Sequence, residues 1–354
     1  MDQDRLARMY EATRLTRQAR FAEAKALLQQ GGGGGSHLPG IQDLLSRLPN
    51  GFGRAPVSVR KPRRGPVLPG LFLDLSYANA AGSRTCRLYV PSGHTDQAVP
   101  LIVMLHGGTQ SADDFAAGTR MNELAERHGF LVAYPEQSRA ANPKGYWNWF
   151  QPKDQRRDGG EPSLIAGLTA QIVDQHAVDA RRVYVAGFSA GGAMAAVMAT
   201  AYPDVYAAAG VHSGLPAQAA HDIPSAFAAM AQGAPTHGHA PVPLIVFHGD
   251  GDATVAHINA DCLVKAALPD ARDRQRPLTT RARVPGGHAY TRRVYTDRDG
   301  TPLVEHWTIH QAGHAWSGGS PDGTYTDPHG PDASTELARF FALHAHRHAH
   351  RRAA

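Results

Sequence analysis

Apolar residues fall in short unbroken runs spaced along the chain: TCRLYVP at 85–91, PLIVMLHG at 100–107, FLVAYP at 130–135, RVYVAGF at 182–188, YAAAGVHSG at 206–214, PLIVFHGD at 243–250 and VEHWTIHQ at 304–311. Several are apolar at every position rather than at alternate ones. A strand of that kind is covered on both faces, which is the condition of a mostly parallel sheet. The intervening stretches have helical period. SADDFAAGTRMNELAERHG, 111–129, opens with Ser111 three residues before Asp114, a capping-box spacing, and closes on Gly129. PSLIAGLTAQIVDQ follows Asp158-Gly159-Gly160-Glu161, which reads as a turn and helix cap rather than as an acid pair. The pattern predicts an α/β fold, a doubly wound sheet with helices on both faces and its sites beyond the C-terminal ends of the strands.

Ahead of this region the periodicity changes. Residues 4–30 predict two short helices, with Leu6, Met9, Tyr10 and Thr13 on one face and Phe21, Ala24, Leu27 and Leu28 on the next, so residues 1–30 form a helical hairpin. GGGGGS at 31–36 begins a Gly/Pro/Arg-rich linker that runs to residue 69. The catalytic-size domain is then 70–343, and 344–354 is a His/Arg-rich tail expected to be solvated.

Composition narrows the classes. The 354 residues are 42% hydrophobic and 19% charged, values that exclude wholesale disorder, collagen and coiled coil. The net charge of +5 owes much to Arg54, Arg60, Lys61, Arg63, Arg64 and the tail, so no nucleic-acid-binding face is expected. No stretch approaches the roughly 18 apolar residues of a membrane span, and the opening MDQDRLARMYEATRLTRQAR lacks an apolar core of the export type. The expected location is the cytoplasm. Cys86 and Cys262 allow at most one bridge. The tail histidines 344, 346, 348 and 350 have no second ligand cluster, so no metal site is expected.

The chemistry concentrates in four places. Gly187-Phe188-Ser189-Ala190-Gly191 is a G-x-S-x-G at the end of a predicted strand and the start of a helix, where small neighbours let the chain turn abruptly and expose the serine near a positive helix end. A serine hydroxyl needs a base and oxyanion donors. His106-Gly107-Gly108-Thr109 ends the strand at 100–107, and its amide at Gly108 or Thr109, with that of Ala190, would form the oxyanion hole. In His248-Gly249-Asp250-Gly251-Asp252, Asp252 is the expected acid, with Asp250 organising the turn. His314, in a small-residue loop after the last strand, is the expected base, last in the order Ser, Asp, His. His306 and His310 read as packing or surface residues, and His257 and His288 as reserve bases. Trp316, Trp147 and Trp149 are candidates for lining a substrate pocket, with core packing as the alternative. No cofactor is required.

Taken together, LHGGTQ, YPEQ, WNWF, GFSAGGAMA, HGDGDATV, GHAWSGG and GPDAS over roughly 70–342 resemble the polyhydroxybutyrate depolymerase family of esterases. The resemblance implies an α/β-hydrolase fold, the same three residues, and small-molecule or oligomeric ester substrates; it also covers feruloyl and acetyl-xylan type carbohydrate esterases. The N-terminal hairpin resembles the helical extension of some bacterial members. Extracellular relatives make export the alternative location. The family commonly has cysteines where Gly108 and Tyr146 stand; their joint absence is what loss of a disulfide between the two loops would leave, and it fits a reducing compartment. From a different class, the competing reading is a non-catalytic granule- or surface-binding protein that attaches through the hairpin and basic linker.

Overall fold

The computed structural model describes residues 68–234, 241–268 and 277–346; the N-terminal hairpin, nearly all of the linker and residues 347–354 of the tail lie outside them. In chain order the elements are β1 (Leu71–Asn79), β2 (Gly82–Val90), β3 (Val99–Leu105), α1 (Ala112–Thr119), α2 (Met121–His128), β4 (Leu131–Pro135), α3 (Gly160–Gln175), β5 (Val178–Phe188), α4 (Ala190–Ala201), β6 (Ala208–His212), α5 (Ile223–Gln232), β7 (Leu244–Gly249), α6 (Ile258–Ala267), β8 (Leu278–Arg283), β9 (Ala289–Thr296), β10 (Pro302–Ile309), the short pair β11 (Trp316–Ser317) and β12 (Thr326–Asp327), and α7 (Ala333–Phe341).

The main sheet has the order β1-β2-β4-β3-β5-β6-β7-β10-β9-β8. From β4 to β10 every neighbouring pair is parallel, and antiparallel strands close both edges. The unbroken apolar runs explain why. Leu101, Val103 and Leu105 of β3 point into one core with Val183 and Val185 of β5, Leu244 and Val246 of β7, and α3 and α4. The residues between them, Ile102, Met104, Tyr184, Ala186, Ile245 and Phe247, point into a second core with α1, α2 and α7. Alternate side chains therefore feed opposite faces, and a fully buried Val or Leu contributes about 1.5–3 kcal/mol on either side. A single charge at Val103 would break this arrangement, because neither face offers it water or a partner.

Three local details depart from the sequence reading. The helix expected over 111–129 is two helices. Ser111 caps the first, its side chain accepting from the Asp114 amide, and Gly129 ends the second at φ 69°, as expected; between them Arg120 takes φ 53° and turns the axis. The helix after Gly159 has no side-chain cap from Asp158. Its first-turn amide, at Glu161, donates instead to Asp154 Oδ1 at 2.7 Å. The packed domain also continues past residue 343. His344 is buried, its carbonyl accepts from Tyr184 Oη at 2.6 Å, and the His346 amide donates to the Arg181 carbonyl at 3.0 Å. Cys86 and Cys262 are both buried and free.

Candidate active site

The serine sits at the junction of β5 and α4. Ser189 has φ 55° and ψ −117°, a conformation that a non-glycine residue holds only when its surroundings impose it. Two contacts impose it here. The Ser189 amide donates to the His212 carbonyl at 2.9 Å at the end of the neighbouring strand β6. Gly191 lies so close to the end of β3 that a Cβ there would collide with the Leu105 and His106 carbonyl oxygens. Glycine is needed at 191 because strand and helix backbones touch, and that contact lifts the serine to the apex.

His314 reaches Ser189 from the loop after β10. Its Nδ1 lies 2.7 Å from Asp252 Oδ2 and its Nε2 2.9 Å from Ser189 Oγ. A carboxylate only accepts, so Nδ1 carries the proton and donates to Asp252; Nε2 is left with a lone pair facing the serine hydroxyl. The imidazole ring packs 4.8 Å from the Phe188 ring. Its loop is pinned at several points. The Ser317 amide donates to His212 Nε2 at 3.0 Å, the Gly318 amide to the Asp327 carbonyl at 2.8 Å, and the Gly251 amide to the Ala312 carbonyl at 3.0 Å.

Asp252 is buried, and burial works to raise its carboxyl; hydrogen bonds from His248 and His314 outweigh that and hold it well below the usual carboxylate range. Its other oxygen, Oδ1, accepts the Thr254 and Val255 amides at 2.8 and 2.9 Å. His248 Nε2 faces both the Val255 carbonyl at 2.8 Å and Asp252 Oδ2 at 3.5 Å, so that nitrogen is the donor. Behind the site, burial with neighbouring His248 and His314 pushes His212 well below the ordinary histidine range, keeping the ring neutral and able to accept from Ser317.

The loop expected to hold an oxyanion follows β3. His106 is buried and neutral, burial pushing it down to about 4. Its Nε2 accepts the Gln137 amide at 3.1 Å, so Nδ1 donates to the Gly107 carbonyl at 2.8 Å. The Gly107 amide is engaged by Gln110 Oε1 at 2.9 Å. Among the described residues the amides of Gly108, Thr109 and Ala190 donate to no protein group, which leaves those three available for an oxyanion. Thr109 has φ 69°, a second strained backbone next to Ser189. Gln110 Nε2 also donates to the Thr324 carbonyl at 3.1 Å and to Asp114 at 3.0 Å. It ties this loop to the 320–327 segment.

The structure therefore brings Ser189, Asp252 and His314 together and leaves the Gly108, Thr109 and Ala190 amides unpaired beside them. The tryptophans go elsewhere. Trp316 is 1% exposed, stacked 5.0 Å from the His212 ring, its indole N–H donating to Ser334 Oγ at 3.1 Å. Trp147 is fully buried with its N–H on the His106 carbonyl at 3.1 Å, and Trp149 is buried against Phe150. Trp316 and Trp147 are packing residues, because a large ring whose polar atom finds an internal partner has no reason to face solvent, and Trp149 is buried in the core as well. The aromatic that does face solvent here is Tyr325, 48% exposed, at φ 51°, with its hydroxyl 3.4 Å from Thr109 Oγ1 and its ring 6.3 Å from that of Phe188. It carries no motif. Gln110, His212 and His248 were legible only as residues flanking strand ends.

Among the described residues no group of histidine, cysteine and carboxylate side chains is placed to hold a metal ion, and no helix is long and apolar enough to cross a membrane.

This arrangement of strand, strained serine, helix and late histidine is that of an α/β hydrolase. Acetyl xylan esterase from Aspergillus awamori has the same fold, with a TM-score of 0.58 at 18% identity over 73% of this chain and 94% of that one. Residues 84–272 match the family described as Esterase PHB depolymerase, and the chain belongs to that family. Poly(3-hydroxyalkanoate) depolymerase C of Paucimonas lemoignei is 36% identical over 263 residues, 68% of this chain and 58% of that protein. Feruloyl esterase B of Thermothelomyces thermophilus is 35% identical over 129 residues, 36% of this chain and 43% of that one. The chain thus spans about half the length of these curated relatives.

Proposed function

We propose that this chain is a serine-dependent carboxylic ester hydrolase acting through an acyl-enzyme. The observation that carries the reading is the unbroken hydrogen-bonded line from Asp252 through His314 to Ser189, with the serine held at φ 55°. His314 Nε2 takes the hydroxyl proton as Ser189 Oγ bonds to the ester carbonyl carbon. The carbonyl oxygen becomes an oxyanion facing the Ala190 amide and those of Gly108 and Thr109, and Asp252 stabilises the imidazolium formed. Collapse breaks the bond to the alkoxy oxygen, which leaves as alcohol with the proton from His314. Water then repeats the sequence, giving the free acid and Ser189. No cofactor enters any step.

For substrate, short 3-hydroxybutyrate-type esters or oligomers are the proposed class, supported by the name and extent of the Paucimonas lemoignei relative. A second reading, aryl or carbohydrate esters, draws on the exposed ring of Tyr325 beside Phe188, a face on which a planar or sugar ring can lie. The cytoplasmic location belongs to the same proposal. Glycine and tyrosine at 108 and 146 give the site no need of an oxidising compartment.

The test is hydrolysis of p-nitrophenyl butyrate, a 3-hydroxybutyrate dimer and methyl ferulate by wild type and Ser189→Ala. Turnover that disappears in the variant supports the mechanism, and the preferred ester selects the substrate class. Turnover that survives Ser189→Ala, or none by wild type on any of the three, overturns it.

A further inference from the structure

We propose that Tyr146 is a positioning residue whose ring holds the oxyanion loop in register with Ser189; this rests on the esterase reading above. The starting observation is steric. A Cβ built on Gly108 would fall inside the Tyr146 ring, with even Cζ only 2.6 Å away, so the ring occupies the volume that a side chain at 108 would fill. Gly108 does not have a positive φ. Glycine is required there by the ring pressed on its Cα rather than by backbone conformation.

The ring can act as a fixed wall because its own segment is anchored. The Tyr146 carbonyl accepts from Gln137 Nε2 at 2.8 Å. Asn148 donates its amide to Glu161 Oε2 at 2.8 Å and its Nδ2 to Oε1 at 2.7 Å, and Arg84 pairs with the same buried carboxylate at 3.1 Å. Between these anchors Trp147 donates to the His106 carbonyl at 3.1 Å. Two consecutive side chains of one rigid segment thus grip residues 106 and 108, on either side of Gly107.

What the grip holds is the strained part of the site. Thr109, directly after Gly108, keeps φ 69° without glycine's freedom, and such a conformation relaxes when the contacts imposing it are removed. Relaxation would rotate the 108 and 109 amides away from the oxyanion. The hydroxyl of Tyr146 is not the acting group. It donates to no protein group among the described residues, and burial, with Tyr325 nearby, pushes it up to about 12, so it is a neutral phenol throughout the working range. The flat ring on Gly108 is what matters.

The experiment measures kcat and KM for p-nitrophenyl butyrate, and affinity for a trifluoromethyl ketone whose hemiketal oxyanion occupies the same donors, in wild type, Tyr146→Phe, Tyr146→Ala, Gly108→Ala and the double variant. Tyr146→Ala should lower kcat by about tenfold or more, move KM less than about threefold, and weaken the ketone in parallel, since donors to an oxyanion act in the transition state. Tyr146→Phe should stay within about threefold of wild type. Gly108→Ala drives its methyl against the ring, so its loss depends on the ring, and the double variant should be no worse than Tyr146→Ala alone. Unchanged kcat in Tyr146→Ala, a change in KM only, equal losses in the Phe and Ala variants, or additive losses in the double variant would each overturn the proposal. Turnover that persists in Ser189→Ala overturns the esterase reading instead. In that event the Gly108 and Thr109 amide resonances of labelled protein still decide the question of position: they must shift in Tyr146→Ala and stay in Tyr146→Phe.

Discussion

Asp250 and Asp252 stand two residues apart beyond β7, and each accepts a hydrogen bond from the Nδ1 of a different histidine at 2.7 Å, Asp250 from His310 and Asp252 from His314. The lines continue alike: His310 Nε2 is 2.9 Å from Thr291 Oγ1, as His314 Nε2 is 2.9 Å from Ser189 Oγ. The two hydroxyls differ in their surroundings. Thr291 is buried in the middle of strand β9, whereas Ser189 sits at a strained strand-to-helix turn beside unpaired amides. Hydrogen-bond geometry alone does not make a nucleophile.

This pairing sets the first prediction. Asp252→Asn removes the acceptor that fixes the His314 tautomer and should lower kcat by as much as about 10⁴-fold. Asp250→Asn, which disturbs only His310 and the Gln311 amide, should keep kcat within about fivefold. Steady-state kinetics on p-nitrophenyl butyrate for the two variants checks both.

The contact between α4 and β3 sets the second. Gly191→Ala places a methyl against the Leu105 and His106 carbonyls, which are backbone atoms at the end of β3 and cannot swing aside. The expected cost is about 3 kcal/mol or more, in the class of overpacked core sites. Urea unfolding followed by circular dichroism should show a lower midpoint, with activity lost in the protein that remains folded.

Third, stability should fall with acid. Burial pushes His106 down to about 4, His306 to about 3 and His344 to about 4. The unfolded chain takes up protons at these sites first, below its ordinary value of about 6.5. Their contribution is therefore fully present above that pH and is lost progressively as pH falls through the folded values. His106 and His306, the more deeply buried of the three, are each worth on the order of 3 kcal/mol in this window. Glu161, raised by burial, works in the opposite direction as pH falls through its raised value. Urea midpoints at pH 8, 6 and 4.5 should drop in that order, and His306→Gln should flatten the slope.

The fourth concerns Trp316. Since its ring lies in the core between His212 and Phe115, Trp316→Phe should cost about 1–3 kcal/mol in stability and leave the relative rates on butyrate, hydroxybutyrate and ferulate esters unchanged. A change in those ratios would return the residue to the substrate pocket.

The central strands and the serine turn were readable because their signals are local. An unbroken run such as PLIVMLHG reports burial on both faces, and glycine at 187 and 191 reports backbone proximity. The edges were not readable in the same way. LTTRAR of β8 is exposed at every position and LFLDLSYAN of β1 buries only part of one face, so neither has the apolar continuity that marked the inner strands. The break at Arg120 was hidden because its left-handed backbone falls on a residue other than glycine, which leaves no local mark in the sequence.

For the site, chain order and motif were enough to single out Ser189, Asp252 and His314, because each follows a strand whose end is expected to face the reaction. Choosing Asp252 over Asp250 needed only their distance from the strand. What the sequence by itself determined was therefore the inner parallel strands, the α/β-hydrolase fold and which three side chains the fold brings together. The tertiary structure alone decided which amides are free, that Trp316, Trp147 and Trp149 are buried, and that the ring of Tyr146 lies on Gly108. Those outcomes depend on contacts between segments far apart in the chain, such as Gln110 with Thr324 and Trp147 with His106. Local residue pattern carries the preferences of a strand or a turn, but it holds no record of which distant group will fill the space beside it.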